Sequence, residues 1–254
     1  RSVFVPLGPN NALKLTRTSV ASFYSVSVCG QLSLCRWGSK NVSCNSLNNF
    51  RKYLTMISTD KYPELFSAGK DWQMNACLSF MHDMSTGYIK GYLYAADRLV
   101  EHVAETRCDQ DYFVYPITFM YRQHIELQLK QIISTGNSLL TDQCGHPEHH
   151  KLDSLWPLAK GILRKVWPNE SNPPEFKHID NFIIQFSKID PNSTAFRYPK
   201  QKDGHQSLEN VHYISLCNLA ECVHSFSNFL DGAASGLTEC LDFKCECEYN
   251  GDYY

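Results

Sequence analysis

Arg122, Glu126 and Lys130 follow one another at i, i+4 and i+8 within an apolar stretch. On a helix that spacing lines all three up on one strip, with a carboxylate between a guanidinium and an ammonium. The arginine fork offers paired donors to a phosphate, and the glutamate would hold it in place. The strip is therefore a candidate ligand-binding surface for phosphate; the other role open to it is an intrahelical ion-pair ladder. If the charges are buried, they must satisfy one another or reach another segment. That segment is the loop Phe196-Arg197-Tyr198, where an arginine flanked by aromatics suits stacking on a base or clamping an anion. Arg197 and Tyr198 complete the candidate ligand-binding set. His124 can serve as an acid or base near neutral pH, which makes Arg122, His124 and Glu126 the candidate catalytic residues; the alternative for His124 is a hydrogen-bonded core residue.

Other chemistries find less material. Cys144, His146, His149 and His150 have zinc-compatible donors, but their spacing is cramped and no second cysteine pair completes a tetrahedral set. No metal site and no cofactor is expected, and His150 reads as a residue that caps or packs at a helix start. Cys245 and Cys247 stand one residue apart in an acidic tail. There is no Gly-x-Ser-x-Gly elbow. The run Gly232-Ala-Ala-Ser-Gly236 follows a helical pattern and not a strand, so it is a helix-packing run, not a phosphate cradle.

These residues must be positioned by helices. From about Asp71 the apolar residues recur at helical spacing. A first core helix is expected over Ser85 to Arg107, carrying Ile89, Leu93, Ala96 and Val100 on one face. A second begins at Asp111, with Pro116 near a tolerant first-turn position, and runs to Ser134 before Gly136. It has two polar strips divided by apolar ones: Arg122, Glu126 and Lys130 on one, His124, Gln128 and Gln131 on roughly the opposite side. Such a helix belongs at the centre of a bundle. Further helices are expected from Leu152 to Val166 and around Phe176 to Phe186, the latter stopping at Asp190 and Pro191. Residues 193–204 predict an ordered loop or short hairpin, with a turn at Lys202-Asp203-Gly204.

The last helix carries Leu216, Leu219, Val223, Phe226, Leu230, Ala233, Leu237 and Cys240 at alternating spacings of three and four. Such a seam packs on a helix, more readily a neighbour in the same chain than a second copy in a homodimer. Gly232 and Gly236 are expected to break or bend it. The fold class expected is all-α, an up-and-down bundle of about five core helices over residues 71–243.

Composition bounds the rest. The chain has 254 residues and a formal charge of −2, and no apolar stretch approaches the length of a membrane span. The 11 cysteines lack the density of a disulfide framework and read as reduced thiols of a cytoplasmic protein. Charge is uneven: residues 1–59 carry seven Lys or Arg and no acid, and residues 206–254 carry eight acids against Lys244. Residues 1–70 are thus a basic, Ser-rich extension, with the composition of a transit peptide or equally of translated sequence upstream of a start near Met56 or Met74. Residues 244–254 read as an acidic tail.

Four strings, FVYPITFMYRQHIELQLK (113–130), HHKLDSLW (149–156), STAFRYPKQKDG (193–204) and FSNFLDGAASGL (226–237), resemble in order and spacing a family of uncharacterised, mainly bacterial helical proteins. The resemblance spans residues 71–243. The His150-x-Leu-x-x-Leu helix start is also similar to that of the HEPN superfamily (higher eukaryotes and prokaryotes nucleotide-binding), whose members are helical bundles, many of them RNases or RNA-binding partners in toxin–antitoxin and phage-defence systems. Their nuclease motif, an Arg followed after four to six residues by His, is missing. Arg98 and His102 have three residues between them, and Arg197 and His205 have seven. The resemblance implies an RNA-associated or protein-interacting module in bacterial defence or a toxin–antitoxin context, without that nuclease motif. Two alternatives stand beside it: a metal-independent RNase gathering Arg122, His124, Glu126 and Arg197, and a structural homodimer.

Overall fold

The computed structural model of the protein describes residues 64–81, 83–141, 145–170 and 173–251. The chain divides into two compact units, Arg1–Asn75 and Ala76–Tyr254. Of the first, the described residues hold one 3-10 turn, Trp72–Met74, capped by the Asp71 carboxylate, which accepts from the Gln73 N–H. The basic extension lies almost wholly outside the described residues.

The second unit is all-α, with five helices: α1 Ser85–Thr106, α2 Gln110–Thr141, α3 Leu152–Val166, α4 Glu175–Ile189 and α5 Leu216–Gly251. Asp83 starts α1 by accepting from the Ser85 N–H and hydroxyl, and Arg107 ends it in the left-handed region at φ 56°, its N–H returned to the Val103 carbonyl. Only residues 107–109 separate α1 from α2, so the two pack as neighbours. α2 is the hub: it packs along α1, α3 and α5, while α4 sits on α3 and touches α5 more lightly.

The centre of α2 holds no face open to water. Ile117, Tyr121, Ile125, Leu129 and Ile132 are fully buried, and so are Arg122, His124 and Glu126. Each buried aliphatic contributes about 1.5–3 kcal/mol relative to exposure; each buried charge costs, and needs a partner. The seam of α5 is turned inward on α2, with Val223, Leu230 and Leu237 at zero exposure. That stripe is occupied within the chain. Edge-to-face rings join the remaining helices: Trp156 of α3 on Phe176 of α4 and Phe226 of α5, and Phe182 on Phe226.

Three expectations are corrected. α2 does not stop before Gly136 but continues to Thr141. A Cβ at Gly136 would stand 2.2 Å from Ile162 Cγ2, so this glycine admits α3 against the helix and terminates nothing. Likewise α5 is one helix through Gly232 and Gly236 and takes in most of the acidic tail; Gly236 accommodates the Trp167 ring, which a Cβ would approach to 3.0 Å. Finally, Pro116 lies in the second turn of α2 rather than the first, on a side where Tyr115 and Tyr112 are exposed. The loop after α4 closes with a single antiparallel bridge, Lys200 to Gln206, around a turn in which Gly204 takes φ 88°. Among the described residues there is no strand. No described helix is long and apolar enough to cross a membrane, and the described cysteines are free thiols.

Candidate functional site

The Arg122 strip is buried and shared among three elements. Arg122 is 0% exposed; its Nη1 donates to Glu126 Oε2 at 3.1 Å and its Nη2 to the His150 carbonyl at 2.7 Å. Its Nε faces Asp190 Oδ2 at 3.5 Å, an ion-pair distance that leaves both atoms without a hydrogen bond. Glu126 Oε1 accepts from Lys130 Nζ at 3.0 Å and from His150 Nδ1 at 2.7 Å. Asp190 spends its other oxygen on the loop, accepting from the Thr194 and Ala195 N–H groups at 2.7 and 3.0 Å. One network thus ties α2 to the entry of α3 and to the loop that follows α4.

Burial lowers the Arg122 guanidinium from its usual value; Asp190 and Glu126 oppose the shift, and the positive field of Arg197 adds to it. An arginine so placed still carries its charge. Burial by itself would raise Glu126, but the hydrogen bonds from His150 and Lys130 outweigh it and hold the carboxyl below its ordinary value. The cluster is an ionised one, with two cations of the strip set against two carboxylates.

Arg197 stands where the loop meets α2. Ser193, in the left-handed region at φ 59°, turns its carbonyl to accept from Arg197 Nε at 2.6 Å. The guanidinium lies 5.5 Å from the Phe119 ring and 5.5 Å from the Tyr198 ring. Its Nη groups make no hydrogen bond or ion pair among the described residues, and the residue is exposed. Beside them opens a cleft of about 590 Å³ with Tyr115, Arg197, Tyr198, Gln206, Ser207 and Glu209 on its walls. That volume falls in the range of small-molecule and nucleotide sites.

The strip and the loop therefore converge through Asp190, as the need of the buried charges for company requires. The assignment of Arg122 and Glu126 as ligand-contacting residues is corrected: they have no exposed surface, the Arg122 Nη groups and the Glu126 oxygens are engaged within the network, and Arg122 Nε is turned to Asp190. They hold the loop in place. Lys130 is 8% exposed and bound to Glu126. Arg197 and Tyr198 are the members of the set that a ligand can reach.

His124 is not part of this constellation. On the other side of α2 its Nδ1–H donates to the Ile89 carbonyl at 2.9 Å and its Nε2 accepts from the Ser227 hydroxyl at 2.8 Å. Burial lowers its pKa, against the bond to Ile89. Gln128 donates to Ser227 Oγ at 3.1 Å and to Asp231 Oδ1 at 2.9 Å, and Lys90 also pairs with Asp231. This second network pins α1 and α5 to α2, so a catalytic set of Arg122, His124, Glu126 and Arg197 is not assembled.

Two participants were missed in the sequence. Of the two roles expected for His150 at the start of α3, it does not cap but packs, its ring leaning on the buried Glu126 carboxylate while 62% of the side chain remains exposed. Asp190 does end α4, as its place before Pro191 predicts, and it is also the second carboxylate that two cations to one anion on a buried strip call for. The zinc-compatible group does not gather: Cys144 lies outside the described residues, and no cluster of three or more metal-ligating side chains occurs among those described. No protein-family model matches the chain, and no curated protein or solved structure is significantly similar to it.

Proposed function

We propose that the helical unit is an RNA-associated binding module, HEPN-like in kind, that holds single-stranded RNA without cutting it. The carrying observation is Arg197, clamped between Phe119 and Tyr198 with its terminal nitrogens free, at the mouth of a cleft edged by Tyr115 and Tyr198. Exposed rings offer stacking platforms for unpaired bases, and a guanidinium between them meets the phosphate. The four-string resemblance supports a bacterial defence or toxin–antitoxin setting, where the partner is RNA or a protein. Labelled tRNA and mRNA fragments test the reading: binding that weakens with salt, leaves the RNA intact and is lost in Arg197→Ala is expected. Absence of binding to every fragment at low salt refutes it.

A second reading, a ribonuclease, draws on one observation. His150 Nδ1 lies 2.7 Å from the buried Glu126 Oε1 while 62% of the side chain is exposed, the carboxylate-oriented arrangement of a histidine used in general acid–base catalysis. RNA cleavage by the wild type, abolished in a folded His150→Gln variant, would favour it over binding alone.

A further inference from the structure

The walls of the Arg197 cleft are not uniformly suited to phosphate. Glu209 lines the same cavity, exposed, and its carboxylate makes no ion pair or hydrogen bond among the described residues. An unpaired carboxylate repels phosphate, so the lining is divided in kind between an arginine with free nitrogens, which suits an anion, and a carboxylate, which seeks donors. Gln206, whose side-chain amide is likewise unengaged, stands with it in the lining.

From this division we infer that the cleft selects guanine. The inference rests on the RNA-binding reading of the same cleft. An ionised carboxylate only accepts hydrogen bonds, so it asks for two neighbouring donors on the base edge. Guanine supplies them: its ring N1–H and exocyclic amino group stand side by side, matching two carboxylate oxygens. Adenine and cytosine set a lone-pair ring nitrogen next to their amino groups, and uracil sets one N–H between two carbonyls; each turns an acceptor toward Glu209. The Gln206 amide is complementary to the guanine carbonyl, while Tyr115 and Tyr198 take the ring faces and Arg197 the phosphate. Guanine in an RNA strand and a free guanine nucleotide share this chemistry, and the experiment separates them.

Anisotropy is measured on labelled oligouridylates carrying one central G, A or C, and on the all-U strand, together with calorimetric titration of GMP and AMP. The G-containing strand is expected to bind about tenfold more tightly than the others, the discrimination of one bidentate base contact. Glu209→Gln is expected to erase that preference, so that the G-containing strand binds no more tightly than the all-U strand, with thermal stability unchanged. Equal affinity for the four strands overturns guanine selection while RNA binding stands. Binding of GMP over AMP with no binding of any strand upholds the selection and overturns the RNA reading. No binding of any probe overturns both.

Discussion

Replacing Arg122 by methionine keeps most of its volume and removes the cation at the centre of the buried network. Glu126 would retain Lys130 and His150, so its charge stays compensated. Asp190 would not: its Oδ2 is buried, its only cation among the described residues is Arg122, whose Nε lies at 3.5 Å, and the His150 carbonyl loses its donor as well. Breaking a buried pair from one side costs about 3–5 kcal/mol. Because Asp190 Oδ1 keeps its two backbone N–H groups, the lower end applies, roughly 3 kcal/mol. For a unit of this size that lowers the melting temperature by about 6–12 °C. Urea unfolding followed by circular dichroism measures the loss, and limited proteolysis at Lys200 and Lys202 reports the loosened loop. Asp190→Asn in the same background removes the stranded charge, so the double variant should be more stable than the summed losses allow, with a coupling of about 0.5–3 kcal/mol. A loss below about 1 kcal/mol for Arg122→Met, or a coupling indistinguishable from zero, refutes the argument that these charges are buried and mutually dependent.

Other expectations follow from the same packing. His124 is held neutral in the fold, with its pKa below the ordinary value, so the unfolded chain binds a proton first; stability present above pH 6.5 should fall as the pH drops below it, by about 1.4 kcal/mol per pH unit, and this part of the slope should vanish in His124→Gln. Gly136→Ala should cost about 1–3 kcal/mol through the Ile162 contact and recover in an Ile162→Ala background, as unfolding curves of the single and double variants would show. Gly161→Ala, in α3 with open space around its Cβ position, should instead stabilise by about 1 kcal/mol; a destabilised Gly161→Ala would count against the packing described.

Local signals carried most of the architecture. The periodic apolar residues gave the helices near their observed bounds, and the two polar strips placed α2 at the centre because a helix with charge on both sides must be enclosed on both. The inward seam of α5 followed from its spacing. What failed were features decided by distant residues. Gly136 looks like a terminator until Ile162, in another helix, is brought against it. Asp190 has no local mark as the partner of Arg122, and the bonds from Gln128 to Ser227 and Asp231 cross most of the unit. At the candidate site the residue types were visible but not their roles: Arg122 and Glu126 anchor the loop, whereas Glu209 and Gln206, unremarkable in sequence, share the open cleft with Arg197.

The polar bonds between α2 and α5 also decide something that oily contacts leave open. A run of leucines and phenylalanines laid on another helix gains nearly as much after sliding by one turn, about 5.4 Å. Such a slip would leave His124 and Gln128 facing carbon and would strip Asp231 of its lysine and amide partners at once. The observed alignment makes all of these bonds, and in it the last helix lies where Phe226 meets Trp156 and Gly236 meets Trp167. The histidine on the far side of α2 thus acts as a dowel, giving the bundle one assembled form out of several that grease alone would permit.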